Sequence, residues 1–323
     1  MIDPSVVVRA IEFATSILIA GEAVFSLLVA EPAWGKSNTL RGPWPALYRK
    51  QISSVVWSSL CLTVASGATR LVLLAADISG ASWIEVIGDG TAWTVLTETQ
   101  FGIISQLRVL LAAGIAGLLL LSVRVGGITS IWLRVLITLA AASLLGLLAW
   151  TGHASGGSGA GANVHLLSDV MHLVAAGAWV GGLVPLALLM RQVSRTAHPK
   201  AMLGCAHLLH RFSNLGALSV AILFASGLIN TWYLTDHFKG LIGTEYGRLL
   251  QIKIALFLAM LCLAAINRFR LLKGVALRQD PSNIDRNALR QLQRNTSLEI
   301  ALGFGAIIIA AGLGAAPPAG HVH

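Results

Sequence analysis

The chain has 323 residues, of which 55% are hydrophobic and only 11% are charged, and its mean hydropathy is +0.75. A soluble domain carries about 25% charged residues, so this composition excludes a soluble globular protein and indicates an integral membrane protein. The net charge of +9 does not favour nucleic-acid binding, because the basic residues follow a membrane topology instead of forming one basic surface.

Eight apolar segments are long enough to cross a hydrocarbon core of about 30 Å, which takes roughly 20 residues of helix. They are residues 6–30, 52–76, 103–123, 128–151, 165–190, 211–234, 247–269 and 298–316. No basic region precedes the first of them, so we expect a first membrane span and no cleaved signal peptide. The predicted fold is all-α, a polytopic membrane protein of eight transmembrane helices.

The charges of the loops predict the orientation in the membrane. Most of the 23 basic residues fall in the first, third, fifth and seventh loops, whereas the even-numbered loops are mainly acidic. Lys and Arg near helix ends remain on the cytoplasmic side. Both termini, and the glycine-rich turn between Gly152 and His165, are therefore predicted to lie outside.

An internal repeat divides the chain into two halves of four helices, 1–151 and 152–323. At an offset of 160, Gly21 aligns with Gly181 and Ala65–Gly67 aligns with Ala225–Gly227. At an offset of 145, Thr99–Gly102 aligns with Thr244–Gly247. At an offset of 168, Gly152–His153 aligns with Gly320–His321. Because each half has an even number of spans, both enter the membrane in the same direction. The halves are predicted to be parallel repeats, an arrangement in which sites lie at the repeat interface.

A candidate metal site follows the glycine-rich turn. His165, Asp169 and His172 occupy positions i, i+4 and i+7, which form one face of a helix. The turn would bring His153 close to them. Two imidazoles and a carboxylate on one face, in a chain with few polar residues, predict metal binding.

The repeat adds further candidate ligands on the same side of the membrane. His321 and His323 end the chain, and Glu12 is the equivalent of His172 in the first half. Imidazole and carboxylate ligands suit copper, zinc, nickel or iron, and the residue types favour a divalent ion such as Cu(II). His207 and His210 lie near the cytoplasmic end of their helix and are either a second station or plain interfacial histidines.

Other intramembrane charges favour a structural explanation. Arg70, Arg108 and Lys253 are expected to pair with Asp169 or Glu12, or to extend to the interface. The sequence contains no phosphate-binding loop and no hydrolase or zinc-protease motif. We therefore expect neither ATP-driven transport by this chain alone nor an enzyme.

The second half resembles the CopD family of copper resistance proteins. The resemblance is carried by these residues: Arg211–Ser213, Ser226–Gly227, Tyr246–Arg248 with Lys253, Asn267–Arg268, the pattern of His172 with Trp179, Gly181 and Gly182, and Pro317–Pro318 before His321. It implies a copper protein of the bacterial inner membrane with periplasmic termini, working beside a periplasmic carrier of the CopC type and moving copper toward the cytoplasm. Family members carry a histidine near the position of Glu12, so the carboxylate here weakens Cu(I) binding and leaves Cu(II) plausible.

Three functions are compatible with these observations. The first is a copper transporter that uses His153, His165, Asp169, His172, His321 and His323, with Glu12 as a partner. The second is a membrane protein that binds haem b and does redox chemistry, because other helical families share the H-x6-W pattern; this needs two imidazoles that face each other across a bundle. The third is a copper-binding sensor or assembly factor without transport.

Overall fold

The structure is a computed structural model that describes residues 3–35, 44–124, 130–151, 160–196, 199–234, 244–272 and 286–314. Eight helices in this part of the chain are long and apolar enough to cross a membrane. They span Pro4–Ala33, Leu47–Ser79, Gln100–Arg124, Ile131–Thr151, Gly161–Arg195, Gly204–Tyr233, Glu245–Leu271 and Asn287–Leu313. The prediction of eight membrane-spanning helices is therefore confirmed, and each predicted span overlaps its observed counterpart.

The helices are assigned as follows. In chain order they are α1 (Pro4–Phe25), α2 (Glu31–Gly35), α3 (Trp44–Ser79), α4 (Trp83–Gly88), α5 (Thr91–Glu98), α6 (Gln100–Arg124), α7 (Ile131–Gly146), α8 (Ala160–Ala176), α9 (Gly182–Thr196), α10 (Pro199–Leu234), α11 (Glu245–Ile266) and α12 (Arg286–Leu313). A π-helical turn follows α1, α8 and α11, and a 3₁₀ turn, Leu147–Thr151, follows α7. We call the side of the bundle at which α1 begins the N-terminal side.

Two spans form the centre of the bundle. The apolar window of the first span is 67% buried and that of the fifth span is 72% buried, against 6% for the seventh. The π-helical turn Gly177–Gly181 of the fifth span packs on α1. The first and fifth spans occupy equivalent places in the predicted repeat, so the two halves meet through their first helices.

Glycine permits the close crossing of these two spans. A Cβ atom added to Gly21 would overlap the backbone of Gly181, and one added to Gly181 would overlap the carbonyl of Ile17. Pro185 also lies inside the fifth span and cannot donate a backbone hydrogen bond to the preceding turn. The fifth span is therefore irregular where it meets α1. Irregular turns such as π-bulges often occur at functional sites.

The region after the second span differs from the predicted simple loop. Residues 77–102 were expected to connect two spans, but α3 continues to Ser79 and two short helices, α4 and α5, follow. Ser82 begins α4 with a capping box: its hydroxyl accepts from the Glu85 N–H, while the Glu85 carboxylate accepts from the Ser82 N–H at 2.8 Å. Val86 and Val95 pack on Leu71 and Ala75 of α3, so α4 and α5 cover the ends of α3 and α6.

The tandem repeat and the outward position of the termini stay predictions. Gly21 and Gly181, which are equivalent at the offset of 160, do meet at the crossing of α1 and the fifth span. Residues 315–323, which follow Gly314 at the C-terminus, lie outside the described residues.

Candidate functional site

A cavity of about 400 Å³ opens toward the N-terminal side of the second half. The predicted helix face is present, because α8 covers residues 160–176 and three of its polar side chains line this cavity. They are His165, Asp169 and His172. The structure therefore brings together the three predicted ligands of this helix around one space.

A hydroxyl group of α10 holds the ring of His172. Its Nδ1 lies 2.9 Å from the Oγ of Ser226, and the same Oγ lies 2.6 Å from the carbonyl of Ile222. In the tautomer in which Nδ1–H donates to Ser226, the hydroxyl proton remains available for the Ile222 carbonyl and Nε2 carries no proton. That tautomer is the one in which an imidazole binds a metal, with the other nitrogen held by an outer partner.

The other two residues of α8 are also held by neighbours. His165 stacks on Tyr233, with ring centroids 5.2 Å apart and an interplanar angle of 12°. Asp169 accepts a hydrogen bond from the side-chain amide of Asn230 at 3.2 Å. Both partners belong to α10, so α8 and α10 together form the polar wall of the cavity.

Glu12 pairs with two arginines, which is one of the two roles predicted for it. Its Oε1 accepts from Arg108 at 2.7 Å and its Oε2 accepts from Arg70 at 2.9 Å. Arg108 also donates to Ser16 at 3.0 Å, and Arg70 donates to Thr151. Glu12 is buried in this cluster, as expected if Arg70 and Arg108 each pair with it. Its role as a metal ligand stays a prediction, and this geometry does not support it.

The remaining predicted ligands cannot be placed. His153, His321 and His323 lie outside the described residues. Within the described ranges, no group of three or more His, Cys, Asp or Glu side chains is arranged to hold one metal ion. Since His165 and His172 are about 10 Å apart along α8, they cannot share one coordination sphere without movement or added ligands.

Two further histidines and the cysteines contribute little to this picture. His207 and His210 are both exposed on α10. Cys61, Cys205 and Cys262 are free thiols, and only Cys205 is buried.

Sequence reasoning missed two residues of the cavity, Arg9 of α1 and Asn230 of α10, which both line it. Lys253 of α11, which the sequence predicts to pair with Asp169 or Glu12, lines it as well. The charges of Arg9 and Lys253 both act on Asp169. The repeat contained a signal for the first two, because at an offset of 160 Arg9 aligns with Asp169 and Arg70 aligns with Asn230.

A second cavity of about 290 Å³ lies toward the other side of the bundle. Trp179 lines both cavities, and Phe257 contacts it edge-on with centroids 6.2 Å apart. Glu299 lines the second cavity and accepts from Asn267 at 2.6 Å. The Glu299 carboxylate is thus hydrogen-bonded inside the membrane span.

Comparison with known proteins agrees with the resemblance seen in the sequence. The chain is 28% identical over 316 residues to Copper resistance protein D of Pseudomonas syringae pv. tomato, covering 97% of this chain and 95% of the relative. It is 28% identical over 305 residues to Inner membrane protein YebZ of Escherichia coli K12, covering 94% of each chain. It is 36% identical over 104 residues to Copper transport protein CutJ of Bacillus subtilis, covering 32% of this chain and 19% of the relative.

No solved structure matches the chain. Two family descriptions do: residues 1–164 match the family "Copper resistance protein D-like, N-terminal domain", and residues 206–313 match "Copper resistance protein D". The chain is a multi-pass protein of the inner membrane and is related to proteins of copper handling. It belongs to the copper resistance protein D family.

Proposed function

We propose that the protein takes up copper from the periplasm and carries it across the inner membrane through the cavity lined by α8. The observation that carries this proposal is His172, an intramembrane imidazole that lines the cavity and whose Nδ1 is held by Ser226 at 2.9 Å. Ionisable groups within membrane spans are costly and mark ion pathways. The names of the relatives, copper resistance and copper transport, supply the choice of metal.

The order of residues along α8 supports a stepwise path. His165 lies nearer the N-terminal side, Asp169 one turn further and His172 almost another turn deeper. A copper ion bound first by His165 and Asp169 can pass to His172 without leaving the cavity. His153, His321 and His323 would complete the coordination at the entrance, and a CopC-type carrier would deliver the ion there.

The topology proposed for this path has the N-terminal side in the periplasm. At the opposite side the described helices carry basic residues, which the positive-inside rule assigns to the cytoplasm. They include Arg49, Lys50, Arg124, Arg191, Arg195, Arg268 and Arg270.

The experiment is copper uptake into proteoliposomes. Wild-type protein should load copper, and His172→Ala should lose uptake while keeping its elution volume and thermal midpoint. Thr69→Ala changes an exposed polar residue of α3 outside the cavity, so it is the control and should transport like wild type. Equal uptake by wild type and His172→Ala would contradict the role of His172, whereas copper binding without uptake would indicate the sensor or assembly factor.

The haem alternative is not favoured by the described cavity. The two imidazoles that line the cavity, His165 and His172, both come from α8. Bis-histidine ligation of haem needs two imidazoles that face each other across the iron. An absorption spectrum of the purified protein tests this directly, since a Soret band would support haem.

A further inference from the structure

The two halves of the bundle differ in how their second and third spans pack. In the first half α3 contacts α6, and both contact α5. In the second half, among the described residues, α11 packs mainly on α12 and stands apart from α10. The two helices are joined at the end away from the N-terminal side, where Arg268 donates to the carbonyl and hydroxyl oxygens of Ser213 at 2.8 and 2.7 Å.

The cavity fills the space between these separated helices. From α10 it is lined by Phe224 and Leu228, and from α11 by Ile254 and Leu258. All four side chains are exposed in the isolated protein. Because these side chains line the cavity and are exposed on two membrane spans, a gap between α10 and α11 would admit lipid chains from the side.

The polar end of the cavity carries more positive than negative charge. Among the described lining residues, Arg9 and Lys253 are basic, whereas Asp169 is the one carboxylate. The neighbouring Glu12 has both oxygens engaged by Arg108 and Arg70. Basic side chains therefore outnumber acidic ones in the described lining of the cavity, which favours binding of an anion.

Two buried polar atoms at the same end have no hydrogen-bond partner among the described residues. Arg9 donates from Nη1 to the carbonyl of Gly314 at 2.6 Å, but its Nε has no acceptor there. Asn230 donates to Asp169, but its Oδ1 has no donor there. Buried polar atoms in native proteins are nearly always hydrogen-bonded, so these two are suited to contact a water, an ion or a ligand.

We propose that the cavity binds an anionic phospholipid of the membrane, with its phosphate headgroup at Arg9 and Lys253 and one acyl chain in the gap between α10 and α11. Charge-assisted hydrogen bonds from the guanidinium and ammonium groups suit a phosphate monoanion. The apolar side chains of α10 and α11 suit an acyl chain entering from the side.

The size of the cavity favours an acyl chain over a protein helix. A helix of about 10 Å diameter fills roughly 400 Å³ for each turn of 5.4 Å. The whole cavity has about that volume, so it accommodates no more than one turn of a helix from a second copy. A lipid needs to insert only part of one chain, while the rest of the molecule stays in the bilayer.

The test compares the lipids that remain bound to purified wild type and Lys253→Gln, identified by native mass spectrometry. Wild type should retain an anionic phospholipid. Loss of a hydrogen bond to a charged group costs about 1.5–3 kcal/mol, so Lys253→Gln should retain about 10–100-fold less. The matched control is Arg248→Gln, which removes the same charge from an exposed position of α11 outside the cavity.

A second variant separates the acyl chain from the headgroup. Ala306→Phe fills the cavity from α12 without changing its charge and should also release the lipid. Phosphatidylglycerol should raise the thermal midpoint of wild type more than phosphatidylcholine does, and inorganic phosphate alone should not reproduce the effect. The proposal is overturned if wild type retains no anionic lipid, if Lys253→Gln retains as much as wild type, if phosphate alone suffices, or if haem or a second copy occupies the gap.

The lipid and the proposed copper path share this cavity, but the lipid measurement needs no copper, so the two proposals are tested separately. A protein that binds the lipid and fails to transport would refute only the proposed function.

Discussion

At positions that the predicted repeat makes equivalent, the two halves of the protein carry polar residues and use them differently. The equivalent pairs are Glu12 with His172 and Arg70 with Asn230 at an offset of 160, and Arg108 with Lys253 at an offset of 145. In the first half these residues form a closed cluster with two ion pairs. In the second half they line a cavity of about 400 Å³. The same framework thus provides one stabilising cluster and one open site.

The short helices of the first half account for much of this difference. The offset falls from 160 to 145 between the second and third spans because the first half has extra residues there, and they form α4 and α5. These helices pack on α3 and α6 and hold the two spans together. Phe101 at the start of α6 also packs on Arg70, with the guanidinium carbon 5.0 Å from the ring centroid.

The largest expected effect is on stability in the closed half. Arg108→Gln leaves the buried Glu12 carboxylate with one partner in place of two, and breaking a buried ion pair costs about 3–5 kcal/mol. We expect a large fall in the thermal midpoint in detergent. Lys253→Gln, the equivalent change in the open half, should lower it much less, because no ion pair within the described residues depends on Lys253.

Arg108→Lys serves as the control for charge. It keeps the cation but loses the second donor to Ser16, so its midpoint should lie between those of wild type and Arg108→Gln. Equal losses for Arg108→Gln and Lys253→Gln would show that the two halves are not different in this way.

The second effect concerns copper affinity in the open half. Ser226→Ala removes the acceptor that orients His172, and loss of such an outer partner weakens metal binding about 10–100-fold. Isothermal titration with copper measures this change.

The first half supplies a matched control for the serine. Ser66 is the counterpart of Ser226 at the offset of 160 and donates to the carbonyl of Leu62 at the same 2.6 Å, but within the described residues it has no hydrogen bond to an imidazole. Ser66→Ala should therefore bind copper like wild type. Equal weakening by both variants would assign the effect to helix packing and not to His172.

Much of the fold could be predicted from the sequence, because span number depends on length and hydropathy, which are local properties. The face of α8 with His165 and His172 also followed from helical periodicity alone. The sequence alone could not decide which group Glu12 binds, because a carboxylate can bind a metal ion or an arginine. Only the packing of α3 and α6 on α1 brings Arg70 and Arg108 to it. No sequence pattern predicted the gap between α10 and α11, because a helix that is apolar all round gives no indication of which face is packed.

The third effect tests the contact through which the two halves meet. Gly181→Ala places a methyl group against the carbonyl of Ile17, and such overpacking costs about 1–3 kcal/mol. The thermal midpoint should fall. Gly117→Ala of α6 is the control, since a Cβ there meets nothing within 4 Å, and it should leave stability unchanged or slightly raised. A neutral Gly181→Ala would mean that the halves are more loosely joined than the structure indicates.

The smallest effect lies in the helices that close the first half, where the Glu85 carboxylate caps α4. Hydrogen bonds from the Ser82 N–H at 2.8 Å and its hydroxyl at 2.9 Å lower the pKa of Glu85. Because the folded-state pKa is depressed, the stabilisation is complete above the ordinary pKa and is lost as the pH falls through the depressed one. Glu85→Gln should therefore increase amide hydrogen exchange in α4 relative to wild type at neutral pH, and this difference should disappear in acid. Glu98→Gln neutralises an exposed carboxylate of α5 and should show the same amide hydrogen exchange in α4 as wild type at both pH values. A faster exchange in Glu85→Gln that persists in acid would assign the effect to lost packing and not to the ionised cap.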